Sequence, residues 1–168
     1  MPRLPPLIVL CGVPGSGKTT IGRVLCGRIP GSVHIQTDGV RHMIAKPNYN
    51  ASESDFVYES CLRVAREALS RGRPVVLDGV FAQSDRRARA LTSLRGLYGR
   101  SLVVHVSCDI ETAKRRNAPR RLAVPDERLS AIHNRFQPPP GAFEVDSDAH
   151  SAEENADLIL AAVGKRTT

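Results

Sequence analysis

A parallel α/β fold, its sheet covered by helices on both faces, is the architecture that these 168 residues predict. Three observations carry the prediction. Leu7–Cys11 is a continuous apolar run, the pattern of a strand buried on both faces, with Pro74–Asp78 a further buried strand and Ser101–Cys108 the longest strand. Segments with apolar residues at helical spacing separate them. A glycine-rich stretch, Gly12–Gly17, joins the first run to the first helical segment.

Taken in order, Leu7–Cys11 is the first strand. The preceding residues loosely mimic a secretion signal, but the apolar part is short and runs straight into the glycine-rich stretch, which a strand explains. Lys18 to about Ile29 is helical and ends at Pro30-Gly31. Val33–Gln36 is a short second strand. Val57, Cys61, Leu62, Val64, Ala65, Ala68 and Leu69 recur at helical spacing until Gly72 and Pro74 stop them. The polar segment Tyr49–Tyr58 ahead of that helix reads as a flap; its aromatics, Tyr49, Phe56 and Tyr58, suit core packing better than base stacking. Ser84 to about Tyr98 is helical, with Arg86, Arg87, Arg89 and Arg95 facing water. After Ser101–Cys108 come a helix from about Asp109, a basic loop, a helix from Pro125 to Phe136, a weak strand at Ala142–Val145 and an amphipathic helix from Ser151 to Val163. The length suits one domain, residues 1–168.

Composition narrows the function classes. Lysine and arginine outnumber acids 24 to 17, for a net charge of +7, which suits an anionic partner such as a nucleotide or nucleic acid, or a merely basic surface. Cys11, Cys26, Cys61 and Cys108 lie far apart without a zinc or disulfide pattern, so buried thiols in a reducing, cytoplasmic setting are expected. His34, His42, His105, His133 and His150 show no ligand spacing, and no apolar run reaches the length of a membrane span.

The stretch Gly12-Val13-Pro14-Gly15-Ser16-Gly17-Lys18-Thr19, followed by Thr20, fits Gly-x-x-x-x-Gly-Lys-[Ser/Thr] in its required strand-to-helix setting. Glycines let successive N–H groups turn inward into an anion nest, and the helix start adds its positive end. Lys18 would reach the β- and γ-phosphates of a nucleoside triphosphate, and Thr19 would ligate Mg²⁺. Two nucleotide-hydrolysing classes drop out. No Asn-Lys-x-Asp guanine reader occurs, Asp78 is followed by Gly79 rather than a second acid, and the chain is short for a motor ATPase. A small kinase with ATP as donor remains.

On the acceptor side, Asp38 and Arg41 stand three apart after the second strand, on one face of any helix starting there. Asp38 would take the proton of an attacking hydroxyl, or cap a helix. Arg41 would hold an acceptor phosphate or orient Asp38 by an ion pair. Asp78, ending a buried strand, would hold Mg²⁺ through water or buttress Arg41 or Lys18. Lys114, Arg115, Arg116, Arg120, Arg121, Arg128 and Arg135 oppose only Asp126 and Glu127, and a basic loop there would close over ATP. Arg116 and Arg120 are the best lid pair, with Arg115 or Arg121 as replacements.

With these residues in place, the chain resembles the P-loop kinases of the polynucleotide 5′-kinase and seryl-tRNA(Sec) kinase type. Their phosphate loop matches Gly12–Thr19, their base and following arginine Asp38 and Arg41, and their strand-end aspartate Asp78. Their lid motif matches Arg116-Asn117, Arg120 and Val124-Pro125. Arg135–Pro139 is similar to an Arg-Phe-Glu-Pro-Pro segment of seryl-tRNA kinase and a related ATPase, with Gln137 in place of the acid. Gly79-Val80 stands where those relatives carry a polar pair, as in small kinases of unassigned acceptor. Zeta-toxin kinases and chloramphenicol phosphotransferase share the outline. The resemblance implies a three-layer P-loop NTPase fold, a five-stranded parallel sheet in the order 2-3-1-4-5, and a short helical lid at about 114–128. It also implies transfer from Mg·ATP to a hydroxyl, with Arg41 on the acceptor phosphate and Arg116 and Arg120 bridging donor phosphates. The basic balance favours an RNA or DNA acceptor. A small hydroxyl metabolite, or a regulatory ATPase with no acceptor, are the alternatives.

Overall fold

The computed structural model describes residues 4–120 and 123–165. Strand β1 (Pro6–Cys11), helix α1 (Lys18–Arg28), strand β2 (Val33–Gln36) and helices α2 (Thr37–Arg41) and α3 (Ala51–Ser70) come first. Strand β3 (Val75–Asp78), helix α4 (Ser84–Ser93), strand β4 (Arg100–Ser107), helices α5 (Ile110–Asn117) and α6 (Asp126–Arg135), strand β5 (Phe143–Asp146) and helix α7 (Ala152–Lys165) follow. The sheet runs β2-β3-β1-β4-β5, and every neighbouring pair is parallel. This is the predicted fold and strand order.

The two-sided burial of β1 explains its unbroken apolar run. Leu7, Val9 and Cys11 face one layer with Val57, Cys61, Ala65 and Leu69 of α3 and Ala90 of α4. Ile8 and Leu10 face the other, with Ile21 and Leu25 of α1 and Ala156 and Ile159 of α7. A third, smaller cluster of Val13, Ala113 and Leu129 packs α5 and α6 against the phosphate loop. That cluster seats the basic loop region beside the sheet edge where β1, β2 and β3 end.

The structure corrects several expectations. Ala51–Tyr58 is not a flap but the first turns of α3. Asn50 caps them by accepting from the Glu53 N–H at 2.8 Å, a polar start that hides the helix from an apolar-periodicity reading. Arg87 does not face water. It is buried, and its guanidinium donates to the Phe81 carbonyl. The helix of which it is part stops at Ser93, short of Tyr98. Core packing holds for Tyr58, whose ring meets Phe81 edge-on at 4.9 Å, whereas Phe56 is exposed. Cys11 and Cys61 are buried, while Cys26 and Cys108 are half-buried.

The unusual Gly79 also has a packing reason. A Cβ there would stand 2.9 Å from the buried Thr37 and the Phe81 ring. Phe81 itself is turned into the core with φ 45, which leaves no room for a larger residue at position 79. Among the described residues, no helix is long and apolar enough to cross a membrane.

Candidate functional site

Parallel register brings the ends of three strands to one edge. Leu10 of β1 and Gln36 of β2 both align with Asp78 of β3. The loop from Gly12, helix α2 carrying Asp38, and Asp78 itself therefore share the carboxyl edge, where ligands of parallel sheets sit.

Gly12–Gly17 wraps the start of α1. Gly15 takes φ 84, and a Cβ on it would stand 2.3 Å from the Ala113 carbonyl oxygen of α5. Gly17 takes φ 91 at the N-cap of α1, so only glycine suits either place. Val13 and Pro14 complete the loop, and Ser16 is fully buried inside it. The Lys18 ammonium donates to the Val13 carbonyl at 2.8 Å and approaches Ser16 Oγ at 3.5 Å. Burial pushes the Lys18 pKa down, against the attraction of Asp78 and Asp38. Thr20 is exposed on the first turn of α1.

Thr19 donates its hydroxyl proton to Asp78 Oδ2 at 2.7 Å. His34 Nε2 stands 3.4 Å from the same oxygen, in space that Gly22 leaves open, since a Cβ there would lie 2.4 Å from that nitrogen. Burial raises the Asp78 pKa, but His34, the Lys18 charge and the Thr19 hydroxyl outweigh it and hold the carboxyl below its ordinary value. The donor set at this point is a hydroxyl and a carboxylate, both hard oxygens. Among the described residues, no group of three or more His, Cys, Asp or Glu could hold a metal by itself. Two oxygen ligands beside a phosphate nest fit Mg²⁺, which is held by few protein groups and completes its shell with phosphate and water.

A cavity of about 930 Å³ opens beside the loop and is lined by Pro14, Asp38, Arg41, Tyr49, Arg120 and Arg128, among others. Five arginines (Arg41, Arg86, Arg120, Arg128, Arg135) line it against one carboxylate, Asp38. Asp38 is the second residue of α2, whose cap position is Gln36, so it is not a helix cap. Its carboxylate lies 3.8 Å from the Arg120 guanidinium.

Arg41 does not orient Asp38. It is buried and forms an ion pair with Glu53 of α3, with a further hydrogen bond to Ser54 Oγ at 3.3 Å. Glu53 also accepts the Asn48 and Tyr49 N–H groups at 2.7 and 3.1 Å. Burial raises the Glu53 pKa, yet those N–H groups and Arg41 pull it below the ordinary value. Glu53 thus holds the Asn48-Tyr49 segment; the Asn50-x-x-Glu53 pattern marks the helix start but not these bonds, since the Asn50 N–H donates to Asn48 Oδ1 instead.

Arg116 and Arg120 point apart. Arg116 donates to the Ser147 hydroxyl and carbonyl at 2.8 and 2.9 Å and lies 3.3 Å from Asp148. Ser147 lies against Gly17, so Arg116 is on the phosphate-loop side. Arg120 is on the cavity side. Arg115 turns back to Thr112 Oγ1 of its own helix at 3.2 Å, and Arg121 lies outside the described residues. Asn117, which sequence reading left without a role of its own, is buried and bonds both the Val124 carbonyl and its N–H, at 2.7 and 3.2 Å.

Comparison with known proteins agrees with the fold. Protein kti12 of Schizosaccharomyces pombe is 24% identical over 154 residues, 84% of this chain; the chain spans about half of that protein, 55%. A solved gluconokinase from Sinorhizobium meliloti superposes with a TM-score of 0.71 at 22% identity, covering 98% of this chain and 94% of that one. The Mycobacterium tuberculosis APS kinase CysC, solved with AMPPNP and APS, gives a TM-score of 0.78 at 16% identity, covering 98% of this chain and 100% of that one. At these identities the likeness is one of fold, the P-loop kinase-like fold. The model of the AAA domain family AAA_33 matches residues 7–139, and the chain belongs to that family.

Proposed function

We propose that this protein is an ATP-dependent kinase that moves the γ-phosphoryl group to a hydroxyl of a nucleic-acid acceptor. The observation that carries the reading is Asp38, a carboxylate lining an arginine-rich cavity of about 930 Å³ next to the phosphate loop. The loop amides and Lys18 hold the β- and γ-phosphates. Thr19 and Asp78 would hold Mg²⁺, which when bound neutralises phosphate charge. The acceptor oxygen attacks the γ-phosphorus, the bond to the β–γ bridging oxygen breaks, and ADP leaves with the electron pair. Asp38 takes the hydroxyl proton and later yields it to water. Arg116 and Arg120, on the donor and cavity sides, would stabilise charge spread over the transferring oxygens.

Transfer from γ-labelled ATP to 5′-hydroxyl oligonucleotides, tRNA and small alcohols tests this. Label on a polynucleotide supports it. Label on a small alcohol alone replaces the acceptor class, and label released only as free phosphate overturns the kinase. That last result fits a regulatory ATPase, a reading favoured by the 3.8 Å approach of Arg120 to Asp38, which turns the carboxylate toward a guanidinium.

A further inference from the structure

The basic region Lys114–Arg135 does not act as one patch. Lys114 pairs with Glu111 at 2.8 Å, and Arg115 and Arg116 are engaged as described above. Of the cavity arginines, Arg41 is neutralised by Glu53, Arg86 pairs with Asp55 at 3.1 Å, and Arg120 faces Asp38. Arg41, the residue that resemblance would place on an acceptor phosphate, thus has its charge already matched. Two cavity arginines have no carboxylate partner among the described residues: Arg128 and Arg135.

These two stand seven residues apart on α6. Seven residues are nearly two full turns, so both lie on one face, about 10 Å apart along the axis. Ala131 and Ile132 fall between them on the same face and also line the cavity. Arg128 is already oriented. Its guanidinium lies 4.6 Å from the centroid of the Tyr49 ring and donates to the Tyr49 carbonyl at 3.3 Å. Arg41 lies 4.7 Å from the centroid of the same ring. Tyr49 has φ 58, a left-handed conformation that its N–H bond to Glu53 helps to hold. One N–H of Arg128 serves Tyr49, and a guanidinium carries five. Those left over are available to a ligand oxygen.

We infer that Arg128 and Arg135 form the anion-binding wall of the acceptor cavity. They take phosphate groups that the acceptor itself carries, while Ala131 and Ile132 between them meet its sugar or base. The inference rests on the proposed function for calling the cavity the acceptor's place. The chemistry is that of a phosphate-bearing hydroxyl compound, either a nucleic-acid strand or a phosphorylated metabolite.

The test is anisotropy of a dye-labelled, single-stranded 5′-hydroxyl oligonucleotide of about 12 nucleotides, read from about 50 to 200 mM salt. A sugar phosphate and the same sugar without phosphate serve as second probes, followed by calorimetry. Arg135→Ala is expected to weaken oligonucleotide binding and to reduce the slope of log K against log salt by about 0.7, the value for one lost single-strand phosphate contact. Arg128→Gln, which keeps a donor for the Tyr49 carbonyl, should do the same, and Arg135→Lys should retain the wild-type slope. If the acceptor is a metabolite, the sugar phosphate alone binds, and both charge-removing variants weaken it.

Wild-type affinity for every phosphate-bearing probe in both variants, at an unchanged melting temperature, overturns the wall. So does a wild type that binds neither phosphate probe. Phosphoryl transfer measured in parallel separates this inference from the kinase reading. Transfer with unchanged acceptor KM in both variants removes the wall and leaves the kinase. Arginine-dependent phosphate binding without any transfer removes the kinase and leaves the wall.

Discussion

The Thr19 hydroxyl donates to Asp78 Oδ2 at 2.7 Å and ties the first turn of α1 to the end of β3. The pair sets two hard oxygens beside the loop Gly12–Gly17, where the proposed function places Mg²⁺. Asp78→Asn is therefore expected to weaken the Mg²⁺ dependence of ATP turnover by about 10–100-fold, the usual cost of losing a supporting carboxylate at a metal site. A Mg²⁺ titration at saturating ATP reads this directly. The same half-saturation in variant and wild type would remove Asp78 from the metal site.

Asp38 and Arg120 face each other at 3.8 Å across the cavity. If Asp38 is the base, Asp38→Asn lowers turnover by about 10²–10⁴ while ATP affinity stays near wild type. Arg120→Ala is expected to lower turnover by about 10³, the low end for arginines that stabilise the transferring phosphoryl group. Residues in contact do not act independently, so the double variant should lose less than the product of the single losses. Turnover of Asp38→Asn within a factor of two of wild type would take the base role from Asp38.

The parts of this protein written in short stretches of sequence were legible, and those that depend on distant side chains were not. Leu7–Cys11 and Val33–Gln36 are readable as strands because Pro, Gly and apolar patterning bound them, and Gly12–Thr19 because its residue types follow from holding an anion. The three-residue spacing of Asp38 and Arg41 suggested a shared face. However, α2 is a five-residue helix, and Arg41 turns to Glu53, twelve residues on. Arg116 and Arg120 have helical spacing too, yet α5 ends at Asn117, so Arg120 lies past the helix and points elsewhere. Arg87 is charged and looks solvent-facing; only the approach of the Phe81 carbonyl shows why it is buried. None of these pairings has a local periodic signal.

Glu53 links acid stability to the shape of the arginine-lined cavity. Its folded pKa lies below the ordinary carboxylate value. The folded state therefore binds fewer protons than the unfolded state around that pH, and its stability rises with pH there. The contribution is fully present above the unfolded value and is lost as pH falls through the folded one. Glu53→Gln should lower the melting temperature at neutral pH and flatten the fall in stability between pH 5 and pH 3, a window about the unfolded value. Melting curves across that range measure it. An acid limb as steep as that of wild type would mean that other carboxylates, Asp78 first, carry the effect.

Asn117 holds the return of the chain from α5 to α6. Its side chain, only 1% exposed, donates to the Val124 carbonyl and accepts from the Val124 N–H. Asn117→Ala leaves both Val124 groups without a partner, at about 1–3 kcal/mol for each that stays buried. The loss falls on the segment between α5 and α6 rather than on the sheet core, because Val124 packs with Ala113 and Leu129. Limited proteolysis should cut the variant in this segment well before wild type. Because Arg120 sits on the freed loop, turnover should fall while Arg116, still on α5, keeps its bonds to Ser147. Asn117→Asp separates the two bonds: its carboxylate still accepts from the Val124 N–H but has nothing to donate to the carbonyl, so an intermediate cutting rate is expected. Equal resistance of all three proteins to proteolysis would mean that the loop is held by the apolar cluster alone.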